Sequence, residues 1–336
     1  MNVDPELLLV WFVKASVIYG GLLATAALMT LAERKVSAWI QYRIGPNRVG
    51  PFGLLQPLAD GIKFIFKEEL VPDGANPWLF RLAPVIAALP SMMTIAVIPF
   101  AGEARLFGVT TNVSIADLDI GLAYVLAIGG LAIYGVILGG WASNSKYSLL
   151  GGLRASAQMI SYELSLVLAI LAVVLLSGSL DLRAVVAGQR TLDEWNLWSQ
   201  PLAFVLFVIA SFAETNRHPF DFAECESELV GGFHTEYSSM RFALFFLGEY
   251  CAMIVMACLT TTLFLGGPSV PFLPDAHWTL QLGAFMAKAA FFLFLFLWVR
   301  WTLPRFRFDQ LMRLGWKVAL PLALLNLVAT GVAVSW

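Results

Sequence analysis

The sequence is poor in charged residues, histidine and cysteine. Charged side chains make up only 13% of the 336 residues, about half the share typical of soluble domains. The three cysteines form no CxxC motif and have no histidine at the spacing of zinc ligands. An iron–sulfur cluster needs about four thiolates. We therefore expect no metal site, and any electron carrier should belong to a partner or be a diffusible molecule.

Hydrophobic residues, at 59% of the chain, are concentrated in long runs. About 20 apolar residues in a helix cross a hydrocarbon core of ~30 Å. The first run is too long for a signal peptide and lacks a basic segment before it. The predicted spans are Leu7–Leu31, Leu82–Phe100, Ile120–Trp141, Ala155–Leu176, Leu197–Ala213, Phe242–Gly266, Trp278–Val299 and Val318–Val334. The sequence thus predicts an all-α polytopic protein of about eight transmembrane helices, with residues 1–336 in one membrane domain.

Lysine and arginine are distributed unevenly between the loops. Sixteen of the 21 lie in the first, third, fifth and seventh loops, three lie in the even loops, and Lys14 and Lys288 lie within spans. Cytoplasmic loops carry the excess of basic residues in membrane proteins. We therefore expect the odd loops on the cytoplasmic side and both termini on the periplasmic side.

The first inner loop, residues 32–81, contains a segment with helical periodicity. Over residues 54–67, Gln56, Asp60, Lys63 and Lys67 recur at spacings of three and four, and apolar residues occupy the other side. This pattern predicts an amphipathic helix in the plane of the membrane interface. It could be a surface anchor alone. The acidic Asp60 within a basic stripe favours a functional role.

Two acidic residues lie well inside predicted spans. Glu163 and Glu249 follow the nearest inner arginine by nine and eight residues, which places both roughly 12–14 Å from the inner rim. A carboxylate at that depth costs several kcal/mol unless it is protonated, hydrated or paired. The two could face a common polar path or serve helix packing. Lys288, near the middle of the seventh span, could balance one of them or donate into a chain of waters.

The fifth loop, residues 214–241, concentrates acidic side chains. Crowded carboxylates repel one another, so some are expected to hold protons near neutral pH and to respond to a nearby change of charge. A solvated acidic loop is the simpler alternative, but interleaved phenylalanines favour a segment folded back into a cavity. No calcium-loop spacing is present. The acids are Glu214, Asp221, Glu224, Glu226, Glu228 and Glu236.

Five stretches of the sequence resemble a known family. They are ERK at 33–35 and the segments 45–68, 140–163, 212–250 and 303–317. Together they resemble the quinone-chamber membrane subunit of proton-pumping NADH:quinone oxidoreductase, respiratory complex I (subunit 1, or the H subunit of bacterial complexes). The resemblance covers nearly the whole chain.

The resemblance implies roles for specific residues. Around the quinone cavity and its mouth it indicates Glu33, Arg34, Arg43, Asp60, Arg217, Asp221 and Arg300. Along an acidic proton path it indicates Glu163, Glu214, Glu224, Glu226, Glu228 and Glu249. To this path the sequence pattern adds Lys288.

The resemblance also implies substrate, partners and location. Ubiquinone or menaquinone would be the substrate, with no covalently bound cofactor in this chain. FMN and iron–sulfur clusters are expected only in partner subunits, the last cluster lying in peripheral subunits at the headgroup end of the cavity. Partners would be the other membrane and peripheral subunits of complex I and membrane lipid, without nucleic acid. A bacterial inner membrane is the expected location.

Two other classes of function suit some of these features. A stand-alone proton-coupled transporter also uses acidic residues near the midplane, but it usually shows inverted repeats and discontinuous helices at matching positions, which the sequence does not indicate. A purely structural membrane anchor leaves Glu163, Glu249 and Lys288 unexplained.

Overall fold

The computed structural model describes residues 5–106, 108–223, 226–273 and 276–335, with the backbone alone described for Pro5, Leu106, Glu226 and Ser227. The helices are α1 Pro5–Ile40, α2 Gln56–Phe66, α3 Pro77–Thr94, α4 Gly121–Gly129, α5 Leu131–Ala142, α6 Lys146–Ser177, α7 Leu182–Ala187, α8 Asn196–Ser199, α9 Pro201–Glu214, α10 Glu226–Leu229, α11 Ser239–Phe264, α12 Trp278–Thr302, α13 Phe308–Leu314 and α14 Leu320–Ser335. The strands are β1 Ala101–Leu106 and β2 Val109–Val113.

Seven helical stretches within the described ranges are long and apolar enough to cross a membrane, or eight if one bent pair counts as a span. The seven are Glu6–Ile40, Pro77–Val97, Gly121–Ala142, Lys146–Ser177, Ser239–Phe264, Trp278–Thr302 and Phe308–Ser335. The prediction of an all-α polytopic membrane protein is therefore confirmed.

The fifth predicted span, Leu197–Ala213, is broken in the structure. The stretch Leu192–Ser199 meets α9 at an angle of 70°. Gln200, between them, has non-helical backbone angles of φ −133° and ψ 54°, because the ring of a proline disfavours the helical conformation in the residue before it. Helix α9 itself is only about 21 Å long, and it ends at Glu214.

Helix α1 continues past Leu31, the predicted end of the first span, to Ile40. Its 36 residues extend about 54 Å, well beyond the ~30 Å of a hydrocarbon core. Glu33 and Arg34 therefore lie on a helix and not in a loop. The predicted amphipathic helix 54–67 is present as α2, and it contacts α1. We refer to the end of the bundle with segments 41–76 and 215–238 as the basic end.

A two-stranded antiparallel hairpin, β1 and β2, lies at the opposite end of the bundle, which we call the hairpin end. The hairpin was not predicted from the sequence, although the Val-Thr-Thr-Asn-Val composition of β2 is typical of a strand. The hairpin is attached to two spans. Lys14 of α1 donates to Thr111 and to the carbonyl of Asn112, and Gln281 of α12 accepts from the backbone N–H of Gly102.

The spans around α5 and α6 approach one another at glycines. A Cβ on Gly135 of α5 would lie 2.3 Å from the backbone nitrogen of Ala87 in α3. A Cβ on Gly151 of α6 would lie 2.6 Å from the backbone nitrogen of Phe233. Any larger residue would push these elements apart. The close approach fixes the loop at 232–234 against α6, and this loop belongs to the basic end.

Candidate functional site

A carboxylate near the inner end of α1 is the centre of a buried ionic cluster. The side chain of Glu33 is 9% exposed and receives hydrogen bonds or ion pairs from three elements. Its Oε2 accepts from Arg217 at 3.1 Å and from the hydroxyl of Tyr250 at 2.7 Å. Its Oε1 pairs with Arg300. A buried carboxylate requires such partners, because desolvation of an unpaired charge costs several kcal/mol.

Arg217 joins this cluster to a second carboxylate. Its guanidinium is 5% exposed, and it lies 3.6 Å from Oε2 of Glu249 through its second terminal nitrogen. The guanidinium also stacks over the ring of Tyr250, with 4.4 Å to the centroid. Arginine suits this role because its planar fork can contact two carboxylates while remaining charged. Glu33 and Glu249, on different helices, are thus connected through one cation.

The backbone that carries Arg217 is fixed from α6. The side-chain amide of Gln158 donates to the carbonyl of Ala213 and to the side chain of Asn216. Asn216 adopts φ 48°, a left-handed conformation that asparagine tolerates better than most residues. The turn after α9 is therefore rigid, and it directs Arg217 inward.

A cavity of about 460 Å³, which we call the mouth cavity, opens beside Glu33 at the basic end. Helices α1, α2 and α11 form its walls. The lining residues are Leu23, Ala26, Ala27, Thr30, Glu33, Arg34, Ser37, Pro57, Asp60, Gly61, Phe64, Phe242, Ala243, Phe246, Leu247, Tyr250 and Trp301. Most are apolar, and the polar groups gather near Glu33 and at an ion pair in which Arg34 contacts Asp60 at 2.6 Å. This pair links α1 to α2.

A smaller cavity of about 90 Å³, which we call the acid cavity, lies beside Glu249, the second carboxylate that Arg217 contacts. Glu214 and Glu249 both line it, as do Ser91, Thr94 and Thr215. A volume of this size holds several waters when polar groups line it. Most of the other lining residues are apolar, so waters in this cavity would gather at these polar side chains, between the two carboxylates.

A third carboxylate, Glu163, lies close to Glu214 and the acid cavity. The Oε2 atom of Glu214 is buried without a hydrogen-bond partner among the described residues. Oε1 of Glu163 lies 2.9 Å from the position that a Cβ on Gly130 would take, next to Gly129, which lines the acid cavity. Glu163 is also within electrostatic range of Glu214. Glu214 and Glu249 thus line the acid cavity, and Glu163 lies next to it.

The fifth loop folds back against the bundle, as its interleaved phenylalanines indicated. Phe220, Phe222 and Phe233 are all at most 5% exposed, and Phe220 stacks on Phe306 at 5.7 Å. Half-buried Asp221 lies beside this packed aromatic layer.

The other predicted acids of the fifth loop lie elsewhere. Glu228 pairs with Arg154 at 2.5 Å, but both side chains are partly exposed, so it does not reach the acid cavity. Glu224 lies outside the described residues, as does the side chain of Glu226. Arg43, predicted at the quinone mouth, is exposed and contacts Gln41.

Lys288 contacts carbonyl groups instead of the carboxylates proposed from sequence. Its ammonium donates to the carbonyls of Leu265, Gly267 and Ser269 at 2.7–3.0 Å. It also lies 4.7 Å from the ring centroid of Trp195, and no acid in the described part of the chain forms an ion pair with it. These contacts favour an anchor between α12 and the segment after α11, and we leave Lys288 out of the acidic path.

We expect Lys288→Met to destabilise the subunit without an effect on quinone binding. Three convergent carbonyls would lose their donor in a partly buried place, which costs about 1–3 kcal/mol. The measurement is the thermal inactivation half-life of the assembled complex, with the exposed Lys63→Met as the control. An unchanged half-life would contradict the anchoring role.

The histidines of the fifth loop are poor candidates for proton transfer. Burial lowers the pKa of His234 to about 4, since its ring packs against Phe233, Phe242 and Phe246. Burial also lowers the pKa of His218. Burial thus favours the neutral form of both rings, and we assign neither of them a role in proton transfer.

Sequence reasoning missed Tyr250 and Gln158. Tyr250 contacts Glu33 and Arg217 together, and Gln158 fixes the turn that carries Arg217. A tyrosine or glutamine inside a transmembrane helix usually finds a hydrogen-bond partner. That general signal could have identified both.

These features define a class: a polytopic membrane protein with a buried Glu–Arg–Glu network between two largely apolar cavities. Comparison with known proteins identifies the family. Residues 13–331 match the model of the NADH dehydrogenase family. The chain belongs to this family, in the branch of the bacterial H subunits, which confirms the resemblance seen in the sequence.

Curated bacterial relatives match over almost their whole length. The first of the NADH-quinone oxidoreductase H subunits of Geobacter metallireducens is 55% identical over 318 residues, 95% of this chain and 94% of the relative. The corresponding first H subunit of Cytophaga hutchinsonii is 47% identical over 340 residues, 99% of both chains. The H subunit of Leptospira biflexa is 53% identical over 332 residues, 95% of this chain and 93% of the relative.

Proposed function

We propose that this chain is the membrane subunit of a bacterial, proton-translocating NADH–quinone oxidoreductase. In the inner membrane it would form the quinone chamber and the acidic path that links quinone reduction to proton pumping. The names of the near full-length relatives support the enzyme class. The arrangement of the two cavities supports the specific role.

The mouth cavity suits a molecule with an apolar tail and a polar headgroup. Ligand sites are mostly apolar, with a few polar groups that fix orientation. Here those groups are Glu33, Tyr250 and the Arg34–Asp60 pair, and the remainder of the wall is largely apolar. Exposed apolar residues of α2, such as Leu58 and Ile62, would rest in the membrane surface beside the opening. A quinone could therefore reach the cavity from the bilayer.

Reduction of a quinone consumes two electrons and two protons. We expect the electrons to come from an iron–sulfur cluster in a peripheral partner subunit, which in turn receives them from FMN in another partner. This chain would supply the walls of the chamber, the charged groups around it and the proton path. Ubiquinone and menaquinone both fit an apolar chamber of this kind.

The main support for this coupling is the bridge formed by Arg217, which contacts both Glu33 and Glu249. A change of charge near Glu33 alters the balance between its contact with Arg217 and the contact between Arg217 and Glu249. Electrostatic effects are strong there because burial lowers the effective dielectric constant. The altered field at Glu249 would then reach Glu214 and Glu163 around the acid cavity. The two sites are thereby coupled through one shared cation.

Gly61→Trp tests whether the mouth cavity binds quinone. Gly61 lines this cavity, and a side chain at its Cβ would enter open space. An indole there should occupy the chamber and raise the KM for quinone by about tenfold, equivalent to about 1.4 kcal/mol. NADH oxidation by a water-soluble artificial acceptor should not change.

The matched control is Gly283→Trp on α12, where a Cβ also meets no atom within 4 Å. This position lines neither the mouth cavity nor the acid cavity. Native gel electrophoresis should show assembled complex for both variants. If Gly61→Trp assembles and keeps the wild-type KM for quinone, the cavity is not the quinone chamber.

The near full-length match to a subunit family speaks against a stand-alone transporter. Transporters of the relevant kind pair discontinuous helices at matching positions. The described ranges contain one pair of helices bent by more than 40°. Co-migration of the chain with NADH dehydrogenase activity on a native gel is the expected result, and migration as a free chain would favour the transporter.

A further inference from the structure

The membrane span Gly121–Ala142 is interrupted near its middle. Helix α4 ends at Gly129 and α5 begins at Leu131, and the two form this one span together. Gly130, between them, has backbone angles of φ −59° and ψ −21°, which are right-handed values open to any L-residue. Helices favour alanine over glycine by about 1 kcal/mol. The backbone conformation therefore gives no reason for a glycine at this position.

The space beside Gly130 is occupied by a carboxyl group. A Cβ at this position would lie 2.9 Å from Oε1 of Glu163, closer than real Cβ atoms approach another atom. Ordinary contact begins at 3.4 Å, so relief of this contact would move Oε1 by about 0.5 Å. The next nearest atom, the carbonyl oxygen of Leu126, would lie at an ordinary 3.6 Å. A methyl group at 130 would therefore displace the carboxyl of Glu163 and little else.

The position of this carboxyl depends on the space that its neighbours leave. The side chain of Glu163 is half-buried, and none of the hydrogen bonds and ion pairs within the described ranges involves it. Gly129, next to Gly130, lines the acid cavity together with Val125 and Ala132 of the same span. The absence of a side chain at 130 thus permits the carboxyl to lie against the span at the edge of the acid cavity.

We propose that Gly130 is a positioning residue, which sets the place of the Glu163 carboxyl beside the acid cavity. Its effect on turnover rests on the proposed proton path through Glu163. Protons pass between groups that are within hydrogen-bond reach, with heavy atoms about 2.6–3.2 Å apart or joined by one water. The displacement that a methyl group imposes is large enough to break such a contact between Glu163 and a water of the cavity.

Close packing of helices is a different role for a glycine, and the same span contains an example. At Gly135 a Cβ would lie 2.3 Å from the backbone nitrogen of Ala87, which cannot give way unless a helix moves. At Gly130 the atom that is too close belongs to the tip of a side chain. Gly135→Ala should therefore destabilise the subunit by about 1–3 kcal/mol, whereas Gly130→Ala should leave its stability unchanged or raise it.

Gly130→Ala tests the proposal in the assembled complex, with Gly331→Ala as the matched control. Gly331 lies within α14, a Cβ there meets no atom within 4 Å, and the position lines neither the mouth cavity nor the acid cavity. Gly130→Ala should lower NADH–quinone turnover about tenfold, because a misplacement of about 1 Å can cost about a hundredfold. Its thermal inactivation half-life should not fall. Gly331→Ala should keep both the turnover and the half-life of the wild type.

A double-mutant cycle with Glu163→Gln separates positioning from packing. If Gly130 acts through the carboxyl of Glu163, Gly130→Ala should cause no further loss of turnover in the Glu163→Gln complex. A loss that adds to the loss caused by Glu163→Gln would overturn the proposal, since additive effects indicate independent sites. Wild-type turnover of Gly130→Ala beside an impaired Glu163→Gln complex would overturn it as well.

Infrared difference spectra between acidic and alkaline pH provide a readout that does not depend on turnover. The carboxyl band that Glu163→Gln removes belongs to Glu163. This band should shift in frequency in Gly130→Ala and keep its frequency in Gly331→Ala, and an unshifted band in Gly130→Ala would overturn the proposal. Wild-type turnover of Glu163→Gln would instead contradict the proton path, while a shifted band would still support the positioning of the carboxyl by Gly130.

Discussion

Replacing Arg217 with methionine is expected to reduce NADH–quinone oxidoreductase turnover by about tenfold or more and to weaken the subunit. The substitution leaves Glu33 with fewer partners and Glu249 without its contact to the guanidinium. Removal of one member of a buried ion pair typically costs about 3–5 kcal/mol, because the remaining charge stays buried. The measurement is the rate of NADH–quinone oxidoreductase activity in isolated membranes, normalised to the amount of assembled complex on a native gel.

Arg183→Met is the control for this prediction. Arg183 pairs with Asp117 and Asp181 at the hairpin end and is 37% exposed, so its loss should cost no more than about 1 kcal/mol. Arg217→Lys separates charge from geometry, since a lysine cannot contact two carboxylates and a ring in the same way. Wild-type turnover in assembled Arg217→Met complex would contradict the role given to the bridge.

Replacing Glu214 with glutamine should reduce both NADH–quinone turnover and proton translocation, by about tenfold or more. The substitution keeps the volume of the side chain but removes the group that binds a proton. Glu214 lines the acid cavity and lies within electrostatic range of Glu163. Inverted membrane vesicles permit both rates to be measured in one sample. Glu163→Gln and Glu249→Gln should have the same direction of effect.

Glu103→Gln provides the matched control, because Glu103 is an exposed acid on the hairpin. It should keep wild-type turnover and pumping. If assembled complexes with Gln at Glu163, Glu214 and Glu249 all pump protons at the wild-type rate, the acidic path is not where we place it. A loss of pumping with turnover unchanged would instead indicate that the path carries protons but does not limit the redox reaction.

The membrane spans and the main acids could be predicted from the sequence because lipid imposes simple rules. Long apolar runs must be helices, and an acid such as Glu163 or Glu249 stands out inside one. Equal depth suggested that the two belong together. In the structure both lie at or next to the acid cavity, but their neighbours differ. Glu163 lies against Gly130, and Glu249 contacts Arg217. Such pairing depends on how the helices pack, which no spacing along the chain records.

The contacts of the two lysines within the spans could not be predicted from the sequence. Both Lys14 and Lys288 are cations within predicted spans, and for Lys288 a carboxylate partner or a chain of waters was expected. In the structure, the ammonium of Lys288 donates to backbone carbonyls, and the ammonium of Lys14 donates to the hairpin. Carbonyls freed by a chain bend carry no sequence signature of their own. Tyr250 was missed for a related reason, since its partner Glu33 is 217 residues away.

The most direct test of the account follows the carboxyl group of Glu214 while the bound quinone is reduced. Infrared difference spectroscopy of the assembled complex, with reduction triggered electrochemically, reports changes in the carboxyl stretching region. We expect a carboxyl band in wild-type and Glu103→Gln complexes that is absent from Glu214→Gln. The same band at full intensity in Glu214→Gln would contradict the coupling between the mouth cavity and the acid cavity.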